Sequence, residues 1–180
     1  MNIDALSWDI VDQIMEAQIK LGYARESVRL YYPVQSINTI LQTDIEDIDD
    51  MVSILNETFR QHEFLKAVVG SHQNRIEIKV SEDSVEYIHN NVEQSPFLVE
   101  LINKFGMNHH MTIEEVEDIF AKFSNQYVVE KMPEGADFDY AIYFTDKELD
   151  KYYYCIKMEM GHTIYHRFSP VDYAALIKAE

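Results

Sequence analysis

Residues 151–168 read KYYYCIKMEMGHTIYHRF, and the reading of this stretch decides the fold of the C-terminal half. It reads as two antiparallel strands, 151–160 and 162–168, joined around Gly161. Side chains alternate across a strand, so position parity assigns each residue to a face. One face carries Tyr152, Tyr154, Ile156, Met158 and Met160, with Thr163, Tyr165 and Arg167 from the return strand. The other carries Tyr153, Cys155, Lys157 and Glu159, with His162, Ile164, His166 and Phe168. A tight turn through either Met160-Gly161 or Gly161-His162 gives the same division. The first face is the more apolar and is expected to pack inward.

Upstream of this hairpin, 126–131 (QYVVEK) and 138–144 (FDYAIYF) read as two further strands around a turn at Pro133-Glu134-Gly135. Downstream, Ser169-Pro170 opens a final helix bearing Tyr173, Leu176 and Ile177, with serine at the cap and proline in the first turn. Two helices precede the sheet. The first, 97–105, is expected to stop at Gly106. The second starts from a capping box of Thr112 and Glu115 and carries Ile113, Val116, Ile119, Phe120 and Phe123. From about residue 95 to 144 the order helix, helix, strand, turn, strand resembles the second half of a winged-helix domain in outline. The second helix, however, begins TIEEVED, and those carboxylates would meet DNA phosphates and be repelled.

The N-terminal half reads as mostly helical. Ile3, Leu6, Ile10, Ile14, Ala17 and Leu21 form a stripe ending at Gly22. Pro33 breaks the next segment into a short piece through Tyr32 and a helix with Val34, Ile37, Ile40 and Leu41. A capping box of Thr43 and Glu46 is expected to open a helix using Ile45, Ile48, Val52, Leu55 and Phe59. The acids there do not make a calcium loop, because Asp49 stands where the loop needs glycine and Leu55 where it needs glutamate. Gly70–Asn74 reads as a turn and Ile76, Ile78 and Val80 as a strand. Val85, Tyr87 and Ile88 are β-favouring types expected to return as a hairpin through a turn at Ser81-Glu82-Asp83. The fold class is therefore α+β: a helical N-terminal part, then helix–helix and a C-terminal antiparallel sheet with a final helix. One domain over 1–180 is expected, with a polar sub-boundary near 90–96.

Composition bounds the function. The 180 residues are 47% hydrophobic and 26% charged, an ordinary globular mixture. Against 15 Lys+Arg stand 32 Asp+Glu, a net charge of −17. Neither nucleic acid nor an anionic membrane finds a basic footprint on such a chain, so a protein partner or self-association is expected instead. The single cysteine cannot form an internal disulfide, and the acidic, amphipathic N-terminus is not a secretory leader, so a cytoplasmic location is expected. GxGxxG, Walker, HExxH, CxxC and GxSxG motifs are all missing, and no cofactor is expected.

Three groups of residues offer chemistry. Cys155 and His166 fall on one face of adjacent strands, and a thiol beside an imidazole can become a nucleophile. Adding His162 suggests zinc, whose preferred ligands these are. Yet four residues along a strand separate the two imidazoles by about 13 Å, too far for one metal without a bulge. His109 and His110 lie in a loop before a capped helix, and would become metal candidates only beside Glu115 or a sheet residue. Finally, Tyr143, Tyr153 and Phe168 put rings where the sheet faces outward, and tyrosine suits an interface wet at one end. The leading expectation is a non-enzymatic protein-interaction or regulatory module. A small hydrolase or transferase using Cys155/His166 or a sheet-bound metal is the first alternative. An acidic decoy for a basic or DNA-binding protein is the second.

Overall fold

Leu6, Ile10 and Ile14 recur at helical spacing and are buried along α1 (Ile3–Leu21), which Gly22 ends at φ 83°. The computed structural model describes residues 1–179. It continues through β1 (Val28–Pro33), α2 (Val34–Leu41), α3 (Ile48–Gln61), β2 (Ala67–His72), β3 (Arg75–Val80) and α4 (Glu82–Asn91). These elements form the first of two compact units, Met1–Gln94. The second, from Ser95 onward, holds α5 (Pro96–Met107), α6 (Ile113–Ala121), β4 (Tyr127–Lys131), β5 (Tyr140–Phe144), β6 (Tyr153–Glu159), β7 (His162–Phe168) and α7 (Pro170–Ala179). Helices and two antiparallel sheets make the chain α+β. Among the described residues, no helix is long and apolar enough to cross a membrane.

In the first unit the strand order is β1-β3-β2. The central strand RIEIKV buries Ile76, Ile78 and Val80 at alternate positions, and they pack with Leu6, Ile10, Ile14, Leu55 and Phe59 in one core. Tyr32 fixes β1 to α1. Its hydroxyl donates to Asp9 Oδ2 at 2.8 Å, and Gln13 Nε2 donates to both partners at 2.8 Å. Asn56 of α3 closes the β2 edge: its side chain accepts from Val69 N and donates to Val69 O, both at 2.8 Å.

Several local expectations need correction. Residues 82–91 are a helix, not a returning strand. Ser81 Oγ accepts from Ser84 N, Glu82 and Asp83 sit in the first turn, and Val85 and Ile88 are buried three apart, so cap and helical spacing outweigh β-propensity. The Thr43/Glu46 capping box does not form. Thr43 Oγ1 donates to Asn38 Oδ1 at 2.9 Å, and Asp47 caps α3 by accepting from Asp49 N and Asp50 N. Gly70 to His72 belong to β2, which leaves only Gln73 and Asn74, at φ 49° and 61°, in the turn. Gly106 lies inside the last turn of α5, which runs on to Met107. Leu21 ends the stripe exposed rather than buried.

The second unit follows its sequence reading closely. Ser95 and the Thr112/Glu115 box cap α5 and α6. The sheet order is β4-β5-β6-β7. The face with Phe144, Tyr154 and Ile156 packs inward: Phe97, Phe120, Phe144 and Tyr154 are fully buried, with ring centroids 4.7–5.6 Å apart. Edge-to-face pairs of this kind contribute about 0.5–1.5 kcal/mol each beyond the area they bury.

Replacing Asn56 by alanine strips both partners from the Val69 peptide on the β2 edge. Asn56→Ala is expected to destabilise the protein by about 1–3 kcal/mol in urea unfolding. An unchanged midpoint would show that solvent satisfies the edge as well as the amide does.

Candidate functional site

Antiparallel register sorts the four-stranded sheet into rows. On the face away from the phenylalanine cluster, Glu130, Ala141, Cys155 and His166 form one row across all four strands. Next to it run Val128 and Tyr143 on β4 and β5, and Tyr153 and Phe168 on β6 and β7. Short β-branched and aromatic strand residues set these rows, and α7 is laid over them by its Ser169 cap, whose Oγ accepts from Asp172 N at 3.2 Å.

Tyr173 of α7 stacks on Tyr153 with centroids 4.2 Å apart and planes at 8°. Tyr143 lies 4.5 Å from Tyr153. The Tyr143 hydroxyl donates to Glu130 Oε1 at 2.9 Å and the Tyr173 hydroxyl to Glu130 Oε2 at 3.4 Å. The Lys147 ammonium sits 4.1 Å from the Tyr153 ring centre and 4.8 Å from that of Tyr143. Beside these rings opens a groove of about 710 Å³, lined by Glu130, Met132, Tyr143, Tyr153, Tyr173 and Ile177 among others. Burial and the Glu130 carboxylate both disfavour a phenolate. Tyr143 is pushed up to about 12, and Tyr173 is raised as well, burial being the larger cause in each case. The site is therefore Tyr143, Tyr153 and Tyr173 around the exposed Glu130 carboxylate, with Lys131 also lining the groove and the Lys147 ammonium over two of the rings.

Cys155 and His166 are direct cross-strand partners. The thiol is 0% exposed, packed with Met132, Ala141 and Tyr173, whereas His166 is exposed and turns its ring toward Phe138 at 5.2 Å. A nucleophile must reach its substrate, and the α7 cover leaves this thiol no surface. The two metal candidates from different segments do meet: the His110 and His162 rings lie 5.1 Å apart, and His110 Nδ1 bonds the Gly161 carbonyl. The His109 carbonyl accepts from Thr163 N at 2.8 Å, so this loop seals the β7 edge. Among the described residues no group of three or more His, Cys, Asp or Glu side chains is placed to hold a metal ion.

Of the proposed interface residues, Tyr143 and Tyr153 line the groove. Phe168 instead packs against Phe138 and the Cys155 cluster. Glu130, Lys147 and Tyr173 were not singled out from the sequence. Strand parity with Val128 would have found Glu130. Tyr173 depends on how α7 docks, and Lys147 is a loop residue with no local signal.

The model of a family described as "Domain of unknown function, E. rectale Gene description (DUF3877)" matches residues 3–177, and the chain belongs to that family. No curated protein and no solved structure matches it.

Because Cys155 is fully buried, its alkylation by iodoacetamide is expected to track global unfolding and to be slow at every pH where the protein is folded. Fast labelling of folded protein at pH 6 would instead reveal an activated, reachable thiol. Tyrosinate absorbance gives a second check. The folded state holds the Tyr143 proton more tightly than the unfolded chain does. The stabilisation linked to this proton is therefore complete below about pH 10 and is lost as pH rises through about 12. Glu130→Gln is expected to lower the Tyr143 midpoint, and an unmoved midpoint would sever the link to Glu130.

Proposed function

We propose that this chain is a non-enzymatic protein-interaction module, cytoplasmic, that docks a basic segment of a protein partner in the tyrosine groove of its second unit. The observation that carries this reading is the Lys147 ammonium over Tyr153 and Tyr143, beside a carboxylate that anchors two of the three phenols. A surface that holds a cation this way suits lysine and arginine side chains from elsewhere.

Two further features support it. Tyrosine presents a large, stiff contact area with a polar tip, the type that dominates hot spots at interfaces. The net charge of −17 draws a basic partner toward the protein and disfavours phosphate backbones and anionic lipid. The closed position of Cys155 favours this reading over a Cys155/His166 hydrolase or transferase.

A fluorescently labelled lysine- and arginine-rich peptide tests the reading by anisotropy, with an acidic peptide of equal length as control. The basic peptide is expected to bind, to weaken as salt shortens the screening length, and to lose at least about tenfold in affinity with Tyr143→Ala/Tyr153→Ala. Equal binding by the double variant would remove the groove from the interaction. A dimer that forms through the same residues, seen by native mass spectrometry, would replace the foreign partner with a second copy.

A further inference from the structure

We propose that the corner between Tyr143 and Tyr153 is an ammonium receptor that Lys147 fills in the free protein and that a lysine side chain of the basic partner takes over on binding. This rests on the docking reading above and adds to it the ligand chemistry and an internal competitor.

The geometry is that of a receptor rather than of a chance surface contact. A cation is attracted to a ring face when it lies within about 6 Å of the centroid. Lys147 Nζ meets that condition for two rings at once, at 4.1 and 4.8 Å, and those rings are tilted by 47° to each other, so they form a corner. The corner is held from behind. Tyr173 stacks flat on Tyr153, and Glu130 accepts the hydroxyl of Tyr143. The rings therefore do not depend on Lys147 for their positions. Lys147 itself lies in the exposed loop after β5, three residues beyond Phe144, between Asp146 and Glu148. Its backbone is free of the sheet ladder, so its side chain can leave without disturbing a strand.

The competition can be sized. An exposed cation–π contact favours the docked form of Lys147 enough that removing it should raise the affinity for an incoming ammonium by roughly three- to sixfold. Lys147 thus sets a threshold: it excludes weakly basic segments and yields to one that brings additional contacts along the groove. Methylation of the partner's lysine keeps its charge and spreads it over an apolar surface, which suits ring faces, so a trimethyl-lysine is expected to bind at least as well as lysine.

The test uses the full chain and three versions of one basic peptide, with lysine, Nε-trimethyl-lysine or the neutral norleucine at the central position. Binding is read by calorimetry and by the ring resonances of Tyr143 and Tyr153. Lys147→Met is expected to tighten the lysine peptide three- to sixfold, while Lys147→Arg, which keeps a cation over the rings, leaves it near the wild-type value. Lys157→Met removes an equal charge from the same sheet and is expected to tighten binding by less than twofold, which separates the receptor from the general field. In the Lys147→Met background the norleucine peptide is expected to bind at least fivefold more weakly than the lysine peptide, with no shift of the two ring resonances. Equal tightening by Lys147→Met and Lys157→Met, or equal binding of norleucine and lysine, overturns the receptor. If basic peptide still binds in a Tyr143- and Tyr153-dependent way, the docking reading survives that result; if no peptide binds any version of the protein, both readings fall.

Discussion

The constraint on which the second unit depends is strand alternation, which gives its antiparallel sheet two faces that different elements cover. Strand alternation sends Phe144, Tyr154 and Ile156 to one side and Tyr143, Tyr153 and Cys155 to the other. Phe97 and Phe120, from the two helices before the sheet, complete an aromatic core on the first side. The second side is covered by α7, ten residues long, together with Met132, Ala136 and Phe138 from the connection between β4 and β5. A helix of that length spans about 15 Å, less than the breadth of four strands some 4.8 Å apart plus their side chains. It seals Cys155 and Ala141 beneath Tyr173 and leaves the rings of Tyr143 and Tyr153 at its margin. The groove opens beside this cover, and tyrosine tolerates a half-wet position there.

Most of this was legible from residues 151–168, because the side-chain period of a strand admits no intermediate answer. Either reading of the Gly161 turn gives one division of faces, and the observed register Cys155 with His166 and Tyr153 with Phe168 follows it. Parity does not report depth, however. Cys155 lies on the face taken as outward and is still fully buried, since α7, the helix that follows β7, and Met132 pack over it. The same limit hid Tyr173 and Lys147, whose roles depend on where α7 and a loop settle. The N-terminal unit was harder to read for a different reason: its signals compete. Ser81 can start a turn or cap a helix, and burial of Val85 and Ile88 on one helical face decides between them. Thr43 and Asp47 are both good caps, and Asn38 engages the Thr43 hydroxyl and accepts from Ile45 N, leaving Asp47 to start α3.

Charge acts on the groove at two ranges. At long range an excess of 17 negative charges raises the local concentration of any basic segment, an effect that fades beyond a Debye length of about 8 Å at physiological salt. At contact range the proposed selectivity would come from the rings, with Glu130 and Lys131 beside them. The Tyr143 and Tyr173 phenols hold their protons more tightly than free tyrosine because burial and the Glu130 carboxylate both oppose a second negative charge there. Neutral phenols donate to Glu130 and hold the ring faces in place, whereas phenylalanine would give the same faces without the anchor.

The sheet edges explain why recognition would run through a side-chain face and not through the backbone. An open edge strand invites another chain to add to the ladder, and each edge here carries a different obstacle. Asn56 occupies the outward peptide groups of Val69 on β2. β1 ends in Pro33, which has no N–H to offer. On β7 the Thr163 amide already donates to the His109 carbonyl, and the Thr163 hydroxyl donates to Met111 O. β4 is only five residues long and finishes in the exposed charges of Glu130 and Lys131. Each of these features makes its edge a poorer template for strand addition. On the proposed docking reading, the Glu130–Tyr143–Tyr153 face is then where the side chains of a partner would decide what binds.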